Sequence, residues 1–276
     1  MILVAGRELT DRAFRAIAEL VHEVAGIHLG DGKRELVRAR LGKRIGELGL
    51  GGFEEYVDLV RKDRTGKELL VMIDLLTTNK TSFFREPAHF AFLRETVIPS
   101  LRPGRLRIWS AACSSGEEPY SIAIELLEDL RGGGWDPRVL ATDISPSILA
   151  LARRGIYRGD QLEDVPPPLR KKYFRPAPEA GEDRWSVVPA VRALVRFARL
   201  NLMDPWPMKG PFDVIFCRNV MIYFDKPTQA RLVARFHDLL RPGGWLFVGH
   251  SESLTNVDHP YEYVQPAVYR RREEGS

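Results

Sequence analysis

The run Trp109-Ser110-Ala111-Ala112-Cys113-Ser114-Ser115-Gly116-Glu117-Glu118-Pro119-Tyr120-Ser121 joins small side chains to two adjacent carboxylates. Small residues let a ligand approach the backbone, and a helix beginning there would present unpaired N–H groups. The run is not GxGxxG, so a dinucleotide fingerprint is absent. Glu117 and Glu118 would repel a pyrophosphate, whereas an acid at this place suits a cationic group such as an ammonium. A further acid, Asp143, ends the next apolar run. At a strand end it can accept two hydrogen bonds from ribose hydroxyls. Together these residues describe a pocket for a nucleoside that carries an amino acid and no phosphate, a description S-adenosylmethionine fits. The plainer alternatives are a helix-dipole role for Glu117 and an N-cap role for Asp143.

Elements must place these groups. Short apolar runs at 106–112, 138–142, 197–202, 213–217 and 245–249 read as strands. They alternate with helical stretches at 117–130, from Ser145-Pro146 to Gly155, and at 227–240. A strand or hairpin at 261–270 ends the series. Such alternation predicts an α/β fold with right-handed crossovers and a mainly parallel sheet, whose ligands bind at the C-terminal strand ends. A proline-rich stretch at about 160–196 is too long for a crossover loop and reads as an inserted subdomain. Before Leu76 the apolar residues fall at helical spacing: Phe14, Ile17, Ala18, Val21 and Val24; Val37, Leu41, Ile45 and Leu48; Phe53, Tyr56, Val57 and Val60; Leu69, Ile73 and Leu76. The expected division is a helical domain at 1–76, a linker at 77–104 and a sheet domain at 105–276.

The chain has 276 residues, 44% of them hydrophobic and 28% charged, which suits about two globular domains. No apolar stretch approaches the roughly 18 residues of a membrane span, and the first residues lack the order of a signal peptide. Two cysteines, Cys113 and Cys217, cannot make a disulfide framework, and their expected role is as small buried apolar groups. A reduced, cytoplasmic setting follows. The net charge of +4 does not by itself imply nucleic acid. Its distribution is more telling: between 33 and 44, six bases face one acid, Glu35. Arg34 and Arg38, like Arg40 and Arg44, are four apart and share a helix face. Such a cluster is either a solvated face or a docking surface. No spacing of Cys, His and acids suggests a metal.

Four motifs in order resemble the chemotaxis receptor methyltransferase family, CheR. They are Asn79-Lys80-Thr81-Ser82-Phe83-Phe84-Arg85-Glu86, the 109–121 loop, Ala141-Thr142-Asp143-Ile144, and the run from Phe212 through Arg218-Asn219-Val220-Met221-Ile222-Tyr223-Phe224. The resemblance covers nearly the whole chain. It implies a Rossmann-like S-adenosylmethionine-dependent methyltransferase sheet with an all-α domain before it. It also implies methyl transfer to glutamate side chains of chemoreceptors in bacterial chemosensory adaptation, with S-adenosylhomocysteine as product. Asn79, Thr81 and Arg85 resemble residues that reach the cofactor from the joining segment. Glu118 resembles the acid at the methionine amino end, and Asp143 the ribose ligand. Asn201-Leu202 would flank the adenine, and Arg218-Asn219 would line the cofactor and the reacting face. Arg85 and Tyr223 are the candidates for orienting the substrate carboxylate. The expected partner is the anionic cytoplasmic helical bundle of a chemoreceptor, met by Arg34, Arg38, Arg40, Lys43 and Arg44. A monomer, no nucleic acid and no membrane insertion are expected.

The chemistry asks little of acid–base groups. A glutamate side chain, with a pKa of about 4.3, is already an anion at neutral pH. It needs orientation and partial desolvation rather than a base, so His250, after the 245–249 strand, reads as structural. Another methyl transfer, to nucleic acid or a small molecule, is the alternative enzyme. An amino-group DNA methyltransferase would show an Asn-Pro-Pro-Tyr type motif where this chain has Arg218-Asn219-Val220, and neither cysteine follows a proline as in cytosine C5 enzymes. A non-catalytic receptor adapter would not need Glu118, Asp143 and Arg85.

Overall fold

A computed structural model describes residues 8–77, 79–130 and 132–273. The described residues fall into two compact units. One is the chain up to Asn79 together with Tyr223–Asp225; the other is Lys80–Ile222 with the chain from Lys226 onward.

Helices α1 (Asp11–Ala25), α2 (Arg34–Glu47), α3 (Phe53–Lys62) and α4 (Lys67–Leu76) build the first unit. Thr10 caps α1 by accepting the Ala13 N–H at 3.1 Å, and Gly26 ends it at φ 69°. Phe14, Ile17 and Val21 bury one stripe of α1, and Val37, Leu41 and Ile45 one stripe of α2. In α4, Met72 faces inward and Leu69 is only half-buried. Five consecutive apolar residues from Leu69 to Ile73 leave the helical register open to the eye.

The basic helix α2 is not a free charged face. Arg34 pairs with Asp11 at 2.9 Å, donates to the Leu9 carbonyl at 3.0 Å and lies over the Phe14 ring. Arg40 donates to the carbonyls of Leu75 and Thr77 at 3.1 and 2.7 Å. Arg44 grips Glu68 through two N–H groups at 2.8 and 2.7 Å, and Tyr56 donates to the same carboxylate at 3.0 Å. The Arg44 hydrogen bonds lower the Glu68 pKa against the effect of burial. Three of the five expected docking bases therefore brace the helical unit itself. Arg38, paired along the helix with Glu35, and Lys43 are exposed.

The strands of the second unit, in chain order, are β1 (Arg105–Ala111), β2 (Asp136–Asp143), β3 (Ile156–Arg158), β4 (Phe174–Pro176), β5 (Arg184–Val187), β6 (Val195–Arg199), β7 (Phe212–Cys217), β8 (Leu240–Val248), β9 (Tyr261–Gln265) and β10 (Val268–Arg271). Its helices are α5 (Pro87–Phe92), α6 (Ile98–Ser100), α7 (Glu117–Asp129), α8 (Pro146–Arg154), α9 (Pro167–Tyr173), α10 (Pro189–Arg192) and α11 (Lys226–Leu239). The main sheet runs β6-β2-β1-β7-β8-β10-β9. Its first five strands are parallel, and β10 pairs antiparallel with both β8 and β9. Parallel strands covered on both faces read as near-continuous apolar runs, which is why 214–217 and 245–248 are buried at every residue. From β1 the chain passes to β2 on one side and later to β7 on the other, so a switch point opens at the end of β1.

Several boundaries differ from the sequence expectation. The segment at 77–104 is no linker beyond Asn79. Phe83, Phe84, Phe90, Leu93, Val97 and Ile98 belong to one buried cluster with Leu106 and Ile108 of β1. Strand β8 starts at Leu240, running through the Pro242-Gly243-Gly244 turn signal; a register shift opposite, between Phe212 and Val214, absorbs it. Strand β6 ends at Arg199, leaving 200–202 as loop. A second antiparallel sheet, β3-β5-β4, fills the expected insertion but draws in 156–158 from before it. Phe83 packs edge-on to Tyr157 and Phe174, with centroids at 4.9 and 5.2 Å. Trp109 of β1 is fully buried, donates to the Thr142 hydroxyl at 2.9 Å and meets Trp206 edge-on. No described helix is long and apolar enough to cross a membrane.

Candidate active site

The loop from β1 to α7 turns on three left-handed residues: Ala112 at φ 61°, Ser114 at φ 50° and Gly116 at φ 98°. A Cβ on Gly116 would lie 3.0 Å from the Ala152 Cβ and 3.0 Å from the Tyr157 hydroxyl. This glycine is thus required by packing against α8 and by its backbone angle, and not by close approach of a ligand as its sequence context suggested. Tyr157 fastens the loop further by donating to the Ser115 carbonyl at 2.8 Å.

Consecutive residues of a helix project about 100° apart, so the two loop acids separate. Glu117 is buried between the Ser115 hydroxyl at 2.6 Å and Gln161 at 3.2 Å, and burial raises its pKa. It serves the helix start. Glu118, with a side chain 12% exposed, accepts from the Ser110 hydroxyl at 2.7 Å and from Arg218 at 3.0 Å. Burial raises the Glu118 pKa, and Arg218 and Ser110 act against that rise.

Arg218, one residue beyond β7, is the hub. It donates to Glu118, to the Arg85 carbonyl at 2.5 Å and to Glu86 at 2.9 Å, with a side chain only 1% exposed. Burial alone would raise the Glu86 pKa; the Arg218 charge and hydrogen bond, helped by Asn219, bring it down to about 2. Asn219, left-handed at φ 58°, donates from its side chain to Glu86 at 3.2 Å and from its N–H to Glu252 at 2.6 Å. Arg85 (through its carbonyl), Glu118 and the Arg218-Asn219 pair, expected from three places in the sequence, are thereby gathered into one network.

Arg85 itself is aimed by its neighbours. Phe83 is buried against Tyr157 and Phe174 and Phe84 against Phe90, and the Phe84 N–H donates to the Ser121 hydroxyl at 2.9 Å. Arg85 is a half-buried residue whose guanidinium donates through one nitrogen to the Lys80 carbonyl at 2.8 Å in an exposed bond. Its other donors make no hydrogen bond among the described residues. Thr81 is half-buried in the same segment.

Asp143 closes β2 with 7% exposure. Its carboxylate accepts the N–H of Ser114 at 2.9 Å and of Ser145 at 3.0 Å, while the Leu200 N–H donates to its carbonyl at 2.9 Å. The N-cap of α8 is Ser145, which accepts from Ile148 at 3.1 Å, so Asp143 is not a cap. Asn201 folds into its own turn, bonded to Met203 N–H and to Asp204, both at 3.1 Å; the Leu202 carbonyl accepts from Trp206 and Arg235. Two expected site residues lie in the other unit. Asn79 ends it, exposed. Tyr223 is half-buried there, its carbonyl accepting the His28 N–H at 2.7 Å beside the Ile27–Phe224 bridge.

Sequence reasoning missed Ser110, Glu86, His89 and Glu252. Glu86 adjoins Arg85 in a motif already singled out, and Glu252 lies two residues after His250. Their signal was present but only contact reveals its use. Glu86, His89 and His250 bring possible ligand atoms within 4.8 Å of one another, a juxtaposition no spacing could show. Burial holds the His89 pKa down at about 3, so the ring is neutral. The one anion of that trio already has its charge met by Arg218.

Carboxylates at adjacent strand ends are acceptor-only groups. Glu118 and Asp143 fit a ligand presenting an ammonium and hydroxyls, as S-adenosylmethionine does, and disfavour a pyrophosphate. Comparison with known proteins agrees. Residues 79–269 match the CheR methyltransferase SAM-binding domain and residues 12–77 the CheR methyltransferase all-alpha domain. A probable chemotaxis protein methyltransferase of Rhizobium etli is 45% identical over 263 residues, covering 93% of this chain and 98% of the relative. Chemotaxis protein methyltransferase 2 of Pseudomonas aeruginosa is 45% identical over 266 residues, covering 94% and 93%. The Escherichia coli chemotaxis protein methyltransferase is 42% identical over 264 residues, covering 95% and 91%. With both domains matched and the strand-end acids in place, the chain belongs to the CheR methyltransferase family, and its methyl donor is S-adenosylmethionine.

Proposed function

We propose that this methyltransferase esterifies glutamate side chains in the cytoplasmic helical bundle of a chemoreceptor. The observation that carries the reading is Arg85. Its backbone is pinned by Arg218, its neighbours are buried, and its guanidinium keeps donors that no described residue uses. A partly exposed cation with fixed backbone suits one oxygen of a carboxylate. Full neutralisation would quench the nucleophile, so Arg85 orients it, with the Tyr223 hydroxyl as second candidate. Bound S-adenosylmethionine supplies an activated methyl group on a sulfonium. Glu118 would hold its amino end and Asp143 its ribose; Asn79, Thr81, Asn201, Leu202, Arg218 and Asn219 would complete the surround. Receptor docking falls to Arg38 and Lys43, the exposed bases of α2.

The test is to incubate the chain with labelled S-adenosylmethionine and chemoreceptor cytoplasmic fragments. Label released by mild alkali is expected, since a carboxyl methyl ester hydrolyses where an N-methyl group survives. Alkali-stable label, or none, would defeat the reading. Tyr223→Phe should lower turnover with little change in cofactor affinity, and Arg85→Ala should lower both.

A further inference from the structure

We infer that Glu252 is a positioning residue whose buried carboxylate sets the loop after β7 and thereby aims Asn219 at the cofactor site. The inference rests on the reading of Arg218-Asn219 as cofactor residues. Glu252 lies beyond β8, yet one of its oxygens accepts the N–H groups of Asn219 and Gly249, each at 2.6 Å. The other accepts the Ile222 N–H at 3.1 Å. An acceptor-only group holding three backbone donors joins the end loops of two neighbouring strands into one body.

The geometry around it is tight. Asn219 is held at φ 58°, a left-handed conformation that asparagine tolerates better than most residues. A Cβ on Gly249 would fall 2.5 Å from the Asn219 side-chain nitrogen and 2.9 Å from its backbone nitrogen. Glycine alone leaves Asn219 where it is. That side chain then donates to Glu86, the same carboxylate that holds Arg218 beside Glu118. Glu252 itself is 6% exposed and forms no ion pair among the described residues, so the N–H dipoles carry its charge. Burial pushes its pKa up while those N–H groups oppose the rise. Of the three residues it holds, Asn219 is the one whose side chain reaches the Glu86–Arg218 network.

Glu252→Gln keeps the shape but sets an amide NH₂ against backbone donors. Calorimetry with S-adenosylhomocysteine on the full chain reads the effect. Affinity is expected to fall about tenfold in E252Q and about tenfold in N219A, with no more than about twofold further loss in the double variant. Gly249→Ala, whose methyl would crowd both the Asn219 nitrogens and the Glu252 oxygen that holds them, should weaken binding in the same direction. Unchanged affinity in E252Q, or losses that multiply in the double variant, would overturn the inference. So would an E252Q chain that fails to fold, since the carboxylate would then support the fold and not Asn219. A wild-type chain that binds S-adenosylhomocysteine but makes no alkali-labile ester would defeat the glutamate reading and leave this inference standing.

Discussion

Replacing Asp143 by alanine separates two roles of one carboxylate. In the free protein its oxygens accept from Ser114 and Ser145, so the alanine strands two backbone donors. A buried donor left unpaired costs about 1–3 kcal/mol. Both bonds are buried, so the full range applies to each donor: about 2–6 kcal/mol in all. The second role is toward the ribose. Two charge-assisted hydrogen bonds contribute about 1.5 kcal/mol each at the low end of their range, or about 3 kcal/mol together. At about 1.4 kcal/mol per factor of ten, affinity for S-adenosylhomocysteine should fall by about 150-fold. Denaturant melts of the free protein give the first number, and calorimetry on the folded variant gives the second. A variant with wild-type free stability would refute the Ser114 and Ser145 bonds. A variant that is destabilised yet binds with unchanged affinity would refute the ribose assignment.

Gly116→Ala should destabilise the free protein by about 2–4 kcal/mol, because it combines a positive φ with crowding against Ala152, and leave ligand affinity in the folded fraction nearly unchanged. Arg38→Glu with Lys43→Glu should raise the KM for receptor several-fold at low salt and less at high salt, with thermal stability kept. Arg44→Met should instead lower the melting temperature, costing about 2–4 kcal/mol by stranding Glu68. His89 has a folded pKa of about 3 against an ordinary 6.5. Its contribution is therefore whole above about pH 6.5 and lost as pH falls toward 3, with a slope of up to about 1.4 kcal/mol per pH unit. Glu125, raised to about 7 by burial, acts in the opposite sense between about pH 4.5 and 7, so wild type and His89→Leu are compared at each pH. Parallel stability curves for the two would contradict the buried neutral ring.

Where side-chain patterning is dictated by burial, the sequence was readable. The alternation of apolar runs and helices identified every strand of the parallel sheet, because buried parallel strands tolerate little else. The places of Asp143 at the end of β2 and of Glu118 in the first turn of α7 were legible because strand–helix alternation sets where those elements end and begin. What sequence could not show is partnership. Arg34, Arg40 and Arg44 have the spacing of a docking face, yet their partners Asp11, Leu75, Thr77 and Glu68 lie on other segments and turn them inward. Glu86 and Glu252 act through residues more than a hundred and thirty positions apart in one case and through backbone N–H groups in the other, neither of which has a spacing to read. The segment after Asn79 resembled a linker because its apolar residues, Phe90, Leu93 and Val97, bury against a strand that comes later in the chain.

The indole of Trp109 gives the molecule an optical reporter. Its nitrogen is bonded to Thr142, the residue immediately before Asp143, and its ring stands 4.9 Å from that of Trp206, which itself lies beneath the Arg235 guanidinium. Indole emission responds to the field at its nitrogen, and two rings this close exchange excitation. Any ligand that loads the Asp143 carboxylate alters the first, and any movement of the 200–206 loop alters the second. In a variant with the other three tryptophans, Trp135, Trp185 and Trp245, replaced by phenylalanine, emission wavelength and anisotropy should therefore follow cofactor arrival and loop adjustment without a label.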